Sequence, residues 1–339
     1  MKILRLLPMA FVAAIAFTAC NNEFSPNADW QETMLVYGLL DHDDDTTWVR
    51  VQKCFLGEGD MLAMTSIMDS SNYPEGELDV KIVEWNADSV QLERGVLKKL
   101  SETGKVFDFQ YKLLGDKPEG GFYAPQQPIY YCRTKGQMSN KKIYELRVVN
   151  KRTGVRVTSE TSLLGTIDPN TIKVNNNQLG SFNFVNGKAS VAWNNVKRAR
   201  VFQPMIRFFY RNAGFDSIMH VDILCPTREA TNELVLNSQV SQVFFGSELT
   251  KQITDHETIK NPYDSICLYL FAGDENFKLY RSVSAPPSTI VQERGIYTNI
   301  EGGLGIFASR STHVCRIMPV PLDANSDYRR FLKNLNIGF

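Results

Sequence analysis

The stretch from Thr33 to Cys54 reads TMLVYGLLDHDDDTTWVRVQKC and consists of two strand-like runs around an acidic turn. Thr33–Leu40 and Thr46–Cys54 are rich in β-branched and aromatic residues, and Asp41–Asp45 separates them. Apolar and aromatic runs of this length, bounded by turn residues, predict β-strands, and two in succession predict a hairpin. The hairpin is the first indication of a mostly β protein.

The same pattern continues through the first half of the chain. Further predicted strands are Glu77–Trp85, Val106–Leu113, Ile129–Thr134, Lys142–Val149 and Val155–Thr161. Short strands separated by regular turn signals are typical of a β-sandwich. We therefore predict an N-terminal β-sandwich domain, immunoglobulin- or transthyretin-like, over residues 30–168.

The second half is predicted to be a β-rich domain with a few short helices. Asn186-Gly187 predicts a two-residue type I′ hairpin turn. The apolar residues on either side would then share one buried face: Phe182, Phe184, Ala189, Val191 and Trp193.

Long strands and late helices complete this half. The predicted strands are Ala199–Tyr210, Ser217–Leu224 and Ile266–Phe271, and the predicted helices are Ser247–His256, Asp274–Val283 and Ser326–Leu335, with Ser247 and Asp274 as N-caps. The domain covers residues 169–339 and ends in the last helix. We expect the two domains to meet near Asp168-Pro169-Asn170, with no sheet continuing through that point.

The N-terminus has the layout of an export signal. A short basic start precedes an apolar run from Leu6 to Ala19, which is too short to span a bilayer, since about 20 residues are needed. The run ends in Phe17-Thr18-Ala19-Cys20, which resembles the bacterial lipobox, where the cysteine is acylated and becomes the mature N-terminus. We predict a lipoprotein signal peptide over residues 1–19, lipidation of Cys20 and a tether over residues 20–29.

The chain lacks the short motifs of common catalytic and metal sites. It has no CxxC, HExxH or GxSxG sequence. The Asp41–Asp45 cluster is not an EF-hand loop, because Thr46 and Gln52 replace its glycine and glutamate, so a solvated turn is favoured. The glycines of Glu301–Gly305 favour a bulge or a close approach of two strands over a phosphate cradle. We predict no catalytic residues, no metal site and no cofactor.

Three other residue sets favour packing over chemistry. The cysteines after Cys20 are widely spaced and predict buried thiols, with one disulfide among the C-terminal three as the alternative: Cys54, Cys132, Cys225, Cys267 and Cys315. Met61, Met64 and Met68 predict a short core-facing helix. Aromatic groups favour cross-strand packing over sugar contact at Phe122-Tyr123, Tyr130-Tyr131 and Phe208-Phe209-Tyr210.

Two segments carry a family resemblance. Leu35–Gly59, LVYGLLDHDDDTTWVRVQKCFLGEG, and Thr298–Ala308, TNIEGGLGIFA, are similar to regions near the two ends of a large set of Bacteroidetes outer-membrane lipoproteins of unknown function. The resemblance implies an envelope lipoprotein, often encoded beside a TonB-dependent transporter. It implies no catalytic residues.

The expected function is binding at the cell envelope. We expect a lipid-anchored protein of the outer membrane or cell surface that acts as a non-catalytic accessory component of a surface complex, with a TonB-dependent transporter or another surface protein as partner. Its interface would lie where Asp41–Asp45 and Gly57–Pro74 project from the sandwich. With 37 basic and 37 acidic residues, the chain lacks the positive charge that nucleic acid requires. A surface hydrolase or glycan-processing enzyme without a recognisable motif is the alternative.

The anchor prediction is tested at Cys20. The Cys20→Ala variant should lose metabolic labelling by palmitate and leave the membrane fraction, because the acyl chains supply the membrane affinity. Membrane association that survives the substitution would contradict the prediction.

Overall fold

A computed structural model describes residues 33–54, 71–115, 126–176, 181–212, 217–230, 232–253, 259–260, 265–284 and 295–337. Within these ranges the protein is mostly β with several sheets, which confirms the predicted fold class. The immunoglobulin- or transthyretin-like form of the sandwich stays a prediction. Cys20, the signal peptide, the tether and Met61–Met68 lie outside the described residues.

The described strands and helices follow in chain order. The strands are β1 (Thr33–Asp41), β2 (Thr46–Cys54), β3 (Leu78–Ala87), β4 (Lys99–Asp108), β5 (Gln110–Leu114), β6 (Gln127–Arg133), β7 (Lys142–Asn150), β8 (Arg156–Thr161), β9 (Lys173–Val174), β10 (Lys188–Asn194), β11 (Val201–Asn212), β12 (Met219–Leu224), β13 (Arg228–Glu229), β14 (Val235–Ser241), β15 (Ile259–Lys260), β16 (Ser265–Gly273) and β17 (Leu304–Pro319). The helices are α1 (Ser89–Glu93), α2 (Gln242–Gln252), α3 (Glu275–Ser284) and α4 (Asp327–Asn334), with a 3₁₀ turn at Pro169–Thr171.

One large sheet joins the two halves of the chain. Its order is β12-β11-β16-β17-β1-β2-β6-β5, and the short strands β13 and β15 pair with β11. The join is a parallel pairing of β1 with β17, in which Leu35 lies opposite Leu304 and Asp41 opposite Arg310. The expectation that no sheet would continue through Asp168–Asn170 is therefore wrong, because β17 returns to the first strand. The division into domains 30–168 and 169–339 remains a prediction.

Two smaller sheets cover the same face of the large sheet, side by side. The sheet β4-β3-β7-β8 packs over β1, β2 and β6 and forms the first core with them. The sheet β14-β10-β9 packs with α2 and α4 over β11, β12 and β16 and forms the second core. The register of β17 shows that both cores lie on this face. Phe307 belongs to the first core. Ser311 is on the same side of β17 as Phe307 and lies opposite Ala272, which belongs to the second core. The opposite face of the large sheet, the outer face, carries α3.

The Asn186-Gly187 turn forms as predicted, but its hairpin is short. Both residues have positive φ, and the Val185 and Lys188 backbones exchange hydrogen bonds of 2.8 and 3.2 Å, as a type I′ turn requires. Beyond this bridge β10 pairs with β14 and β9 rather than with Phe182–Phe184. The predicted buried face is confirmed, because Phe182, Phe184, Ala189, Val191 and Trp193 all lie in the second core.

Two of the three predicted helix starts are correct. Asp274 and Ser326 accept hydrogen bonds from the backbone N–H groups of the first turns of α3 and α4. The third is wrong, because α2 begins at Gln242 and not at Ser247. Ser241 ends β14 in an extended conformation and accepts a 3.1 Å hydrogen bond from Phe244 N–H, so the helix is capped at Ser241 and not at Ser247.

The glycines of β17 let it approach β1 closely, as the sequence predicts. Gly305 has φ of +110°, and a Cβ there would lie 2.0 Å from the carbonyl oxygen of Val36. No L-residue fits without displacing the backbone of β1. The parallel pairing therefore depends on the absence of a side chain at this position.

The Gly305→Ala variant should lose about 3 kcal/mol or more of unfolding free energy, because it adds a backbone clash to an unfavourable φ. Gly115→Ala is the matched control, since a Cβ at Gly115 meets nothing within 4 Å. It should change stability by less than about 0.5 kcal/mol in the same denaturant titration. Equal stability of the two variants would contradict the observed pairing.

Candidate functional site

The outer face of the large sheet holds a groove of about 410 Å³ between α3 and four strands. This volume lies within the usual range of ligand pockets, about 300–1,000 Å³. We call it the aromatic groove; its lining is Tyr37, Gly38, Leu39, Asp44, Trp48, Arg50, Ile129, Phe277, Tyr280, Ile306 and Arg310. The strand residues come from β1, β2, β6 and β17, so both ends of the described chain contribute to it.

The partly buried carboxylate of Asp274 holds α3 over the sheet. Its oxygens accept hydrogen bonds from Phe277 N–H at 2.8 Å, from Ser309 N–H at 2.8 Å and from the Thr161 hydroxyl at 3.1 Å. Burial raises the pKa of this carboxyl. Because the three donors belong to α3, β17 and β8, one side chain fixes the helix to two sheets.

A glycine at the end of β16, Gly273, lets α3 lie close to the large sheet. A Cβ on Gly273 would lie 2.2 Å from the ring of Phe277, so that ring occupies the space of the missing side chain. The contact brings α3 down onto the sheet. It places Phe277 and Tyr280 along one side of the groove.

Aromatic rings form both sides of the groove. On the helix side, Tyr280 meets Tyr37 edge to face, with ring centroids 6.3 Å apart. On the strand side, Trp48 is 38% exposed and lies beside Tyr131 of β6, with centroids 5.6 Å apart. Burial and the neighbouring Tyr280 raise the pKa of Tyr37 to about 12, so its hydroxyl keeps its proton at neutral pH.

The two guanidinium groups in the groove differ in their partners. Arg310 forms an ion pair with Asp44 at 2.9 Å, and its Nε lies 3.5 Å from a carboxylate oxygen of Asp41. Burial raises the pKa of Asp41, whose side chain is fully enclosed. The positive charge of Arg310 is therefore balanced from within the protein.

Arg50 has no such balance. It lies opposite Tyr37 in the β1–β2 register and is half-buried. Within the described part of the chain its guanidinium forms no ion pair, and its Nε is shielded from solvent and has no hydrogen-bond partner. Burial lowers the pKa of Arg50, but an arginine side chain stays charged at neutral pH. A half-buried cation without a partner is costly, and a bound anion would relieve that cost.

A second cation lies at the end of the groove. The Lys112 Nζ of β5 is 6.0 Å from the ring centre of Trp48 and 5.9 Å from that of Tyr131. Both distances are within the range of cation–π attraction, about 6 Å. Arg50 and Lys112 therefore make this part of a neutral chain locally positive.

Another cleft of about 410 Å³ borders the Asn186 turn. Apart from Val185 its lining is polar, and it has no aromatic ring. The Asn175 amide there is already engaged, since it donates to Asn183 O at 2.9 Å and accepts from Ser190 N–H at 3.0 Å. The aromatic groove is the better candidate, because Arg50 leaves a binding group unused.

Only some of the residues that the sequence analysis singled out lie at the aromatic groove. Asp44 reaches the groove, but Asp41 does not belong to a solvated turn, because its side chain is buried against Arg310. Tyr131 is partly exposed beside Trp48, whereas Tyr130 and Phe208 lie in the cores.

Cys54, Cys132 and Cys225 are free thiols. Cys225 and Cys267 are buried, as predicted, whereas Cys54 is exposed and Cys132 is partly exposed. The alternative disulfide among the C-terminal three does not involve Cys225. Whether Cys267 pairs with Cys315 stays a prediction, because the side chain of Cys315 lies outside the described residues.

Sequence analysis did not identify Arg50, Phe277 or Tyr280. The alternation along Thr46–Cys54 offered one usable signal, because Trp48 and Arg50 share the face opposite Val49 and Val51. The approach of α3 leaves no comparable signal in the sequence.

No protein-family model matches this chain, and no curated protein matches it. In the part of the chain that the structure describes, no helix is long and apolar enough to cross a membrane. No group of three or more potential metal-ligating side chains occurs among the same residues.

Proposed function

We propose that this chain is a lipid-anchored, non-catalytic binding protein of the outer membrane or cell surface, and that the aromatic groove is its ligand site. The observation that carries the proposal is the charged Arg50, which forms no ion pair among the described residues and lies between aromatic walls. Ligand pockets typically combine apolar and aromatic lining with a few polar groups that fix orientation. The groove has this composition on a rigid sheet.

The lining favours binding over catalysis. Tyr37 keeps its proton up to a pH of about 12, so it acts as a hydrogen-bond donor rather than as a general base at neutral pH. Arg50 likewise donates hydrogen bonds and does not exchange protons near neutrality. The Asp44 carboxylate is held by Arg310. These groups are suited to retaining a ligand unchanged.

The proposed cellular setting rests on the sequence of the N-terminus. Acylation of Cys20 would anchor the chain, and β1, which runs through the groove, begins at Thr33 shortly after the tether. The resemblance to Bacteroidetes outer-membrane lipoproteins adds a TonB-dependent transporter or another surface protein as the partner. The alternative, a surface hydrolase or glycan-processing enzyme, differs in that it would convert its ligand.

Trp48 provides the test, with Phe244 of α2 as the matched control because the two side chains are 38% and 37% exposed. Immobilised mature protein would be incubated with detergent-solubilised envelopes, and retained carbohydrate and protein would be measured. Trp48→Ala should reduce retention about tenfold, since an interfacial aromatic contributes on the order of 1.4 kcal/mol or more. Phe244→Ala should leave it unchanged.

The chemical state of the retained material decides between the two functions. A binding protein releases its ligand unchanged after prolonged incubation. Cleaved products would establish the enzyme instead. An equal loss of retention in Trp48→Ala and Phe244→Ala would show that the groove is not the ligand site.

A further inference from the structure

We propose that the ligand of the aromatic groove is a carboxylated sugar, a uronic acid unit whose carboxylate binds Arg50. This rests on the proposed function of the groove. It adds the ligand's chemical class, which neither the sequence nor the comparisons assign.

The charge of the groove favours an anionic group on the ligand. Of the two guanidinium groups in the groove, Arg310 is paired with Asp44 and Asp41, whereas Arg50 has no ion pair among the described residues. Lys112 adds a second positive charge at the end of the groove. A planar guanidinium binds a carboxylate through two parallel hydrogen bonds, and such charged pairs are the strong ones. An anionic ligand is therefore complementary to this site, and a neutral one would leave Arg50 unpaired.

The aromatic side chains that line the groove favour a ligand that contains a ring. Trp48 presents an exposed flat surface beside Tyr131, and Phe277 and Tyr280 face it from α3. A pyranose ring has apolar C–H faces that pack on aromatic surfaces, while its hydroxyls lie around the edge. Tyr37 and Asp44 are placed to meet such hydroxyls, one as a donor and one as an acceptor.

The backbone of the groove favours a sugar over an acidic peptide. The floor is formed by β17, β1, β2 and β6, which are neighbours within the large sheet and pair with each other. A bound peptide brings an N–H and a C=O with every residue, and these need partners when they lose water. The face of a paired sheet offers no free backbone groups to supply them. A sugar ring needs only side-chain contacts.

The test compares uronic acid oligosaccharides with their methyl esters. Oligogalacturonate and oligoglucuronate, each with its esterified counterpart, would be titrated calorimetrically into purified mature protein. The ester keeps the ring and removes the charge. We expect at least one acid to bind about tenfold or more tighter than its ester, because a hydrogen bond to a charged group contributes about 1.5–3 kcal/mol.

Variants of Arg50 locate the effect. Arg50→Gln should abolish the preference for the acid, and Arg50→Lys should retain part of it, because lysine keeps the charge but loses the bidentate geometry. Arg330→Gln is the control, since Arg330 is an exposed arginine of α4, paired with Asp327. It should bind like the wild type, and thermal melting would confirm that all three variants fold.

Several outcomes would overturn the inference. These are equal affinity for acid and ester, no binding of any uronic acid oligosaccharide, an equal loss in Arg330→Gln, or tighter binding of a tetraglutamate peptide. Trp48-dependent binding of a neutral sugar would leave the proposed function standing and remove only the carboxylate. If Trp48→Ala retained as much envelope material as the wild type, both the proposed function of the groove and its carboxylated ligand would be contradicted.

Discussion

The parallel pairing of β1 with β17 is the contact on which the rest of the structure depends. It joins strands from opposite ends of the described chain into one sheet and places both cores on the same face of that sheet. Gly305 permits the pairing, because its missing side chain leaves room for the carbonyl of Val36. With one face covered by two smaller sheets, the outer face is left for α3 and the aromatic groove.

The groove is a consequence of the same pairing. Ile306 lies opposite Tyr37 in the parallel register, and Arg50 lies opposite Tyr37 on the other side of β1, so three strands place these side chains in one row. Asp274 and Gly273 then bring α3 against that row. The charge of Arg50, which has no ion pair within the described ranges, therefore lies in a rigid setting, where its desolvation has been offset by folding and a ligand need not order the site first.

Local sequence features predicted the local structure well and the long-range arrangement poorly. Residue composition identified β1 and β2, and capping chemistry identified the starts of α3 and α4, because these depend on neighbouring residues. The glycines of Glu301–Gly305 indicated a close strand approach but not its partner. Strand pairing over most of the chain length depends on tertiary packing, so the continuous sheet and the groove could not be derived. Arg50 was missed because a missing partner is a property of the folded state.

Amide hydrogen exchange of the mature protein tests the central claim, that the two ends of the chain form one sheet beneath the binding surface. Paired strands within a buried sheet open only with the unit to which they belong. The amides of Val36–Leu40 and Ile306–Ser309 should therefore be among the slowest to exchange and should do so at matching rates. Exchange of Ile306–Ser309 that is orders of magnitude faster than that of Val36–Leu40 would show that β17 is not held by β1, and would contradict the account.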